Sequence, residues 1–182
     1  TALAAMNVNN AVSQIVFVMF SGIATAVAVM VGNTLGEAKI EEAEANAYKL
    51  IMTAFLSAVV VGTLLFLVSP WIVGLYDISK QTSDWALESI RYNSVLIWLY
   101  SVNVAIYFAL RSGGDMKSTI LADSVFTWVV MVPIALILGY YSTVHIPLMF
   151  LIIKGTELPK FIYSLTLLKK RRWLQNLTIE NV

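Results

Sequence analysis

Residues 1–36 read TALAAMNVNNAVSQIVFVMFSGIATAVAVMVGNTLG, without one charged side chain. A helix needs roughly 20 residues to cross the ~30 Å hydrocarbon core of a bilayer, and this run is long enough. Outward from it, residues 50–76, 92–110 and 124–144 are also charge-free, and 146–168 is apolar apart from Lys154, Glu157 and Lys160. Five spans are expected, near 10–32, 50–75, 92–110, 120–141 and 146–168, in one transmembrane unit over 1–182 with a tail at 169–182. The fold class that follows is all-α, a polytopic transmembrane helical bundle. Hydrophobic residues make up 59% of the chain, charged ones 13%, and mean hydropathy is +0.78, outside the range of a soluble domain. The runs also lack the strict alternation, over about 10 residues, that marks the strands of a membrane β-barrel. With no cysteine in the sequence, a disulfide framework or thiolate metal site is excluded.

Charge placement sets an orientation. Five crossings put Lys39, Lys49, Arg111, Lys117, Lys169, Lys170, Arg171 and Arg172 on one side, against Lys80, Arg91 and His145 on the other. The positive-inside rule makes the first side cytoplasmic, so the C-terminus is expected in the cytoplasm and Thr1 outside. Position 1 is not Met, and no signal-peptide pattern opens the chain. The expectation is therefore the C-terminal part of a longer protein; the alternative is a complete five-span protein with an exported N-terminus.

Local signals refine the spans. Gly32, Asn33 and Gly36 suit a helix C-cap and tight turn, after which 37–48 reads as an interfacial helix running into the second span. Pro70, Trp71 and Tyr76 mark that span's outer end. Residues 77–88 read as a short surface helix or loop, Pro133 predicts a kink in the fourth span, and Pro159 a break in the fifth. Asp115 reads as a turn residue and Asp123 as a helix-end or interface contact. The basic run 169–172 is expected on anionic headgroups, with Trp173 at the interface. A glycosylation sequon, Asn176-Leu177-Thr178, would go unused on the cytoplasmic side.

Three segments together carry a resemblance. Val31-Gly32-Asn33-Thr34-Leu35-Gly36 closes an alanine-rich span, Leu110-Arg111-Ser112-Gly113-Gly114-Asp115 follows a later one, and Trp173-Leu174-Gln175-Asn176 follows the last. Their order resembles the C-terminal lobe of multidrug and toxic compound extrusion (MATE) transporters, over essentially the whole chain. The resemblance implies about spans 8–12 of a twelve-span, two-lobed protein of the cell membrane, not an enzyme. It implies antiport: export of organic cations, drugs and other amphipathic compounds in exchange for Na⁺ or H⁺, with no cofactor beyond the coupling ion. Implied partners are such small molecules, membrane lipids and a missing N-terminal lobe, with no nucleic acid. One departure stands out. Some members bind Na⁺ through a carboxylate on the tenth span, whereas 92–110 contains neither Asp nor Glu.

Candidate site residues follow from helical spacing. Tyr100, Asn103 and Tyr107 fall at i, i+3 and i+7 on one face, where they could hold a flat cation by stacking, cation–π attraction and hydrogen bonds. The same face also suits interhelical packing with Asn103 bonded across the bundle. Gln14, one turn from Asn10, could line the same cavity or bond a neighbouring helix. Glu157, three residues from both Lys154 and Lys160, could titrate during transport as a weak ion-coupling candidate, or sit in a neutralised structural cluster. His145 is isolated in an outer loop. Neither a phosphate loop nor a nucleophile–base set nor a metal cluster is legible, so no ATP hydrolysis or bond-breaking chemistry is expected. Two other functions fit the same pattern, a flippase for lipid-linked oligosaccharides and a non-transporting membrane scaffold subunit.

Overall fold

Long uninterrupted helices follow from runs that lack helix breakers. The computed structural model describes residues 2–141 and 145–175, and among these the ordered elements are helices. They are α1 Ala2–Gly36, α2 Ile40–Gly74 and α3 Lys80–Ser112. Next comes α4, the apolar rod Met116–Tyr140, then α5 Ile146–Gly155 and α6 Glu157–Lys169. Helices α1 to α4 are long and apolar enough to cross a membrane. The sequon Asn176-Leu177-Thr178 lies outside the described residues.

A helix of 35 residues, as α1 and α2 are, is about 52 Å long at 1.5 Å per residue. These rods extend well past the hydrocarbon core. The 77–88 stretch is not a separate element: Ser79 accepts a hydrogen bond from the Thr82 N–H at 3.4 Å, and α3 runs unbroken from Lys80. A side-chain cap and no later breaker make the polar residues the first turns of the long helix. Between α1 and α2 the left-handed position is Ala38 (φ 59°), not one of the glycines.

Helix α3 is the centre of the bundle, in contact with α1, α2, α5 and α6. Its most apolar window is 67% buried, against 6% for α4, whose Trp128, Val129, Leu136 and Tyr140 face outward. A helix walled in by protein tolerates polar groups, and α3 buries Asn93, Ser94, Ser101 and Asn103. Helices α1 and α3 run parallel: Asn93 donates to Ser13 Oγ at 2.9 Å, and Ser112 donates to Ala28 O at 3.2 Å. On α2 the stripe Ala43, Ala47, Ala54, Ala58, Gly62 faces inward. A Cβ at Gly62 would lie 2.5 Å from Ser94 O, so α2 and α3 approach at backbone distance there.

Two stretches are irregular. Helix α4 contains π-helical turns at Leu121–Val125 and Thr127–Met131, just ahead of Pro133. The wider turns lie where proline removes a donor from the ladder. The stretch expected as the fifth span is instead two shorter helices, α5 and α6, broken at Thr156, whose hydroxyl donates to Ile153 O at 2.7 Å. Pro159 sits in the first turn of α6, where an N–H would lack a helical partner anyway. Lys154 closes α5 and Glu157 opens α6, so each charge complements the helix end that bears it.

The chain after α6 turns back into the bundle. Trp173 is fully buried and donates from Nε1 to Leu168 O at 3.1 Å, rather than resting at the interface. Its backbone passes over Gly113, where a Cβ would stand 1.5 Å from Trp173 O. Arg171 leaves the basic run to pair with Glu44 on α2, while Lys169, Lys170 and Arg172 stay exposed. Asp115 caps α4 by accepting from the Ser118 N–H at 3.2 Å.

Candidate functional site: a buried charge cluster behind a polar cavity

An ammonium in lipid must match every N–H it carries. Lys160, on α6 and 3% exposed, does so with three acceptors. Its Nζ donates to Glu157 Oε1 at 3.2 Å, to Thr127 Oγ1 at 3.1 Å and to Asp123 Oδ1 at 3.4 Å. The Phe126 ring lies 5.8 Å away. Asp123 and Thr127 belong to the two successive π-helical turns of α4, so the irregular stretch is the part that meets Lys160. Glu157 is held from its other side by α3: Asn103 Nδ2 donates to Oε2 at 3.1 Å and to the Glu157 carbonyl at 3.3 Å. The Asn103 carbonyl oxygen stays buried without a partner.

Glu157 also faces a cavity of about 320 Å³. Helix α1 contributes Asn10, Ser13, Gln14 and Phe17, α3 contributes Asn93 and Tyr100, and Lys154 adds a cation opposite the acid. Phe17 and Tyr100 stand with ring centroids 6.2 Å apart. Lys154 does not pair with Glu157; its ammonium lies 5.6 Å over the Phe150 ring. The wall thus combines amides, two aromatic faces, one acid and one base. Such a surface can hold an amphipathic molecule by stacking and a few directional polar contacts.

The structure distributes the candidate residues. Gln14 and Tyr100 line the cavity together with Asn10. Asn103 sits one layer behind, on Glu157. Tyr107 is buried deeper, and its hydroxyl forms no hydrogen bond; the neighbouring Ser164 donates to Lys160 O at 2.8 Å. Sequence reasoning missed Thr127, Phe17 and Asn93, and gave Asp123 only an interface role. The available signal was the spacing: Asp123 and Thr127 are four apart, as the i, i+4 rule requires of two groups meeting one partner. His145 lies apart, its Nδ1 3.7 Å from Glu88 Oε2 and its ring edge-on to Trp85. Among the described residues no three His, Asp or Glu side chains gather as a metal would need.

The comparison with known families bears on this arrangement. The MatE family model matches residues 1–141, which hold α1 to α4 and with them Gln14, Tyr100, Asn103, Tyr107, Asp123 and Thr127. No curated protein and no solved structure matches the chain. The matched segment is well over half of the 182 residues, and its helices α1 to α4 are the ones long and apolar enough to cross a membrane. The chain belongs to the MatE family.

Proposed function

We propose that this MATE-type transport protein works as a secondary active antiporter, exporting organic cations and other amphipathic compounds in exchange for Na⁺ or H⁺. The observation that carries the reading is the cavity of about 320 Å³ beside Glu157, with amides and two aromatic rings on its wall. An aromatic face attracts a cation by about 0.5–2 kcal/mol, depending on how far water is excluded, and the acid adds charge complementarity. In this reading the helices form most of one lobe, an N-terminal lobe of the same protein closes the other side, and alternating access exposes the cavity to each side in turn. The lobe sits in the cell membrane with its basic end in the cytoplasm, and Lys169, Lys170 and Arg172 rest on anionic lipid. The protein breaks no bond in its substrate. A lipid-linked oligosaccharide flippase is disfavoured by a cavity with one lysine set against one glutamate, and a passive scaffold by a polar cavity left open between helices.

Gln14→Ala and Tyr100→Ala test this reading in cells whose own efflux pumps are removed. Both variants are expected at normal abundance, with resistance to planar aromatic cations reduced about tenfold for Tyr100→Ala, the factor that ~1.4 kcal/mol of lost attraction gives. Loss of Gln14 is expected to reorder which compounds are exported. Unchanged resistance to every compound in both variants refutes the assignment of this cavity.

A further inference from the structure

Arg91 is a charge that neither the cavity nor the Lys160 cluster uses. It stands on α3 at the edge of the charge-free run 92–110, six residues or about 9 Å deeper than Trp85, whose side chain suits the headgroup level. Its guanidinium rests 5.2 Å over the ring of Phe66, which lies five residues inside the exposed Trp71 on α2. A cation at that depth needs an anion. No carboxylate among the described residues pairs with it. Glu88, one turn back, accepts from the Tyr92 hydroxyl at 2.6 Å, and its other oxygen lies 3.7 Å from His145 Nδ1.

A groove of about 320 Å³ runs inward from Arg91 between α2 and α3. Val59, Gly62 and Phe66 wall it on α2, and Ser94, Val95 and Trp98 on α3. At Gly62 a Cβ would lie 2.5 Å from Ser94 O, so the two helices themselves close the back of the groove. Trp98 ends it, its ring edge-on to Phe55 at 5.7 Å and to Phe161 at 5.6 Å. Val59 and Val95 are exposed, so the groove opens on the outside of the bundle, where the surroundings of an apolar span are lipid. Arg91, Val95 and Trp98 fall at i, i+4 and i+7, which puts the cation on the same face as the groove wall. A second groove, between α1 and α2, is larger at about 500 Å³ but has no charged side chain on its wall. Charge complementarity singles out the first.

We propose that the α2–α3 groove binds a glycerophospholipid, its phosphodiester on Arg91 and one acyl chain lying between Phe66, Val95 and Trp98. Helix α3 runs from Lys80 to Ser112 and the C-terminal tail packs over Gly113, so this lipid belongs to the leaflet opposite the basic tail. A guanidinium presents its N–H donors as a planar fork that matches two phosphate oxygens. The Phe66 ring engages the face of that plane and leaves the edge free for the phosphate. The phosphate in turn satisfies donors for which the hydrocarbon layer holds no acceptor. The site lies outside the polar cavity, so it stands apart from what the protein transports.

Native mass spectrometry of the intact transporter, delipidated in detergent and titrated with dioleoyl phosphatidylglycerol, tests the site. The wild type is expected to keep one lipid at collision energies that strip the others. Arg91→Ala should weaken its binding about tenfold or more, the loss that follows from removing a charge-assisted hydrogen bond, and Arg91→Lys should fall between the two. Val95→Trp, a change at an exposed position, should displace the lipid with Arg91 intact, whereas Lys117→Ala, at the opposite end of the bundle, should leave it bound. Inorganic phosphate in large excess should not compete. A wild type that keeps no lipid would mean that another part of the protein covers the groove, and it overturns the proposal. So do retention by Arg91→Ala at wild-type affinity, an equal loss in Lys117→Ala, and displacement by inorganic phosphate, which would make the site one for the free ion.

Discussion

Gly113→Ala is expected to expel the C-terminal tail from the bundle. A Cβ at this position would stand 1.5 Å from Trp173 O and 2.5 Å from Trp173 C, so backbone must move, not a flexible side-chain tip. The conformation of Gly113 is ordinary (φ −92°), so space alone demands glycine. Trp173 is fully buried in the cluster with Leu110, Leu167 and Leu168, and displacing a core tryptophan costs about 3–5 kcal/mol. The pairing of Arg171 with Glu44 would be lost with it. Thermal unfolding of the purified transporter should show Gly113→Ala and Trp173→Ala comparably destabilised, and the double variant little worse than either. Additive losses would mean that the two residues act at separate places.

Lys160→Ala is expected to be as damaging, for an electrostatic reason. It strips three hydrogen bonds at once and leaves the Glu157 carboxylate in a membrane interior with Asn103 as its hydrogen-bond partner and Lys154 unpaired on the cavity wall. Removing one partner of a buried ion pair costs about 3–5 kcal/mol, because the other charge stays behind uncompensated. The double variant Lys160→Met, Glu157→Gln removes both charges of the tight pair and should recover most of the lost stability, measured by the same unfolding assay. Its transport should remain absent. A double variant as unstable as Lys160→Ala would show that packing, not charge balance, is what Lys160 supplies.

Much of the fold was legible because lipid imposes a coarse rule. Charge-free runs of about 20 residues announce themselves, and the four in this chain became long helices in the expected order, whereas the charge-bearing stretch 146–168 became two shorter ones. The extent of each helix was less legible. Hydropathy reports where lipid begins, not where backbone hydrogen bonding ends, so the polar turns of α3 before residue 92 read as loop although Ser79 caps them into the helix. The break at Thr156 was signalled by Pro159 but displaced from it, since proline constrains the residues preceding it. Trp173 misled because tryptophan suits both headgroups and cores, and only the nearness of Gly113, sixty positions upstream, decides between them.

The site was half legible. Glu157 and Lys160 were conspicuous as charges inside an apparent span, and their three-residue spacing gave the pair. Asp123 sat at the edge of a charge-free run and read as a boundary residue. Its role depends on α4 lying against α6, and on the π-helical turns that bring Asp123 and Thr127 to one ammonium. The four-residue spacing of Asp123 and Thr127 allows them to share a partner, but does not say which helix supplies it. Tyr107, chosen for its helical phase, followed the phase but lies beyond the cavity in depth, because two turns along the axis from Tyr100 are about 10.5 Å.

The most direct measurement is uptake of ethidium by proteoliposomes that hold the intact transporter and no ATP, under an imposed gradient of H⁺ or of Na⁺. The account predicts accumulation while the gradient lasts, collapse when it is dissipated, and neither in Glu157→Gln. Ethidium movement that ignores the gradient, or that persists undiminished in Glu157→Gln, would contradict it.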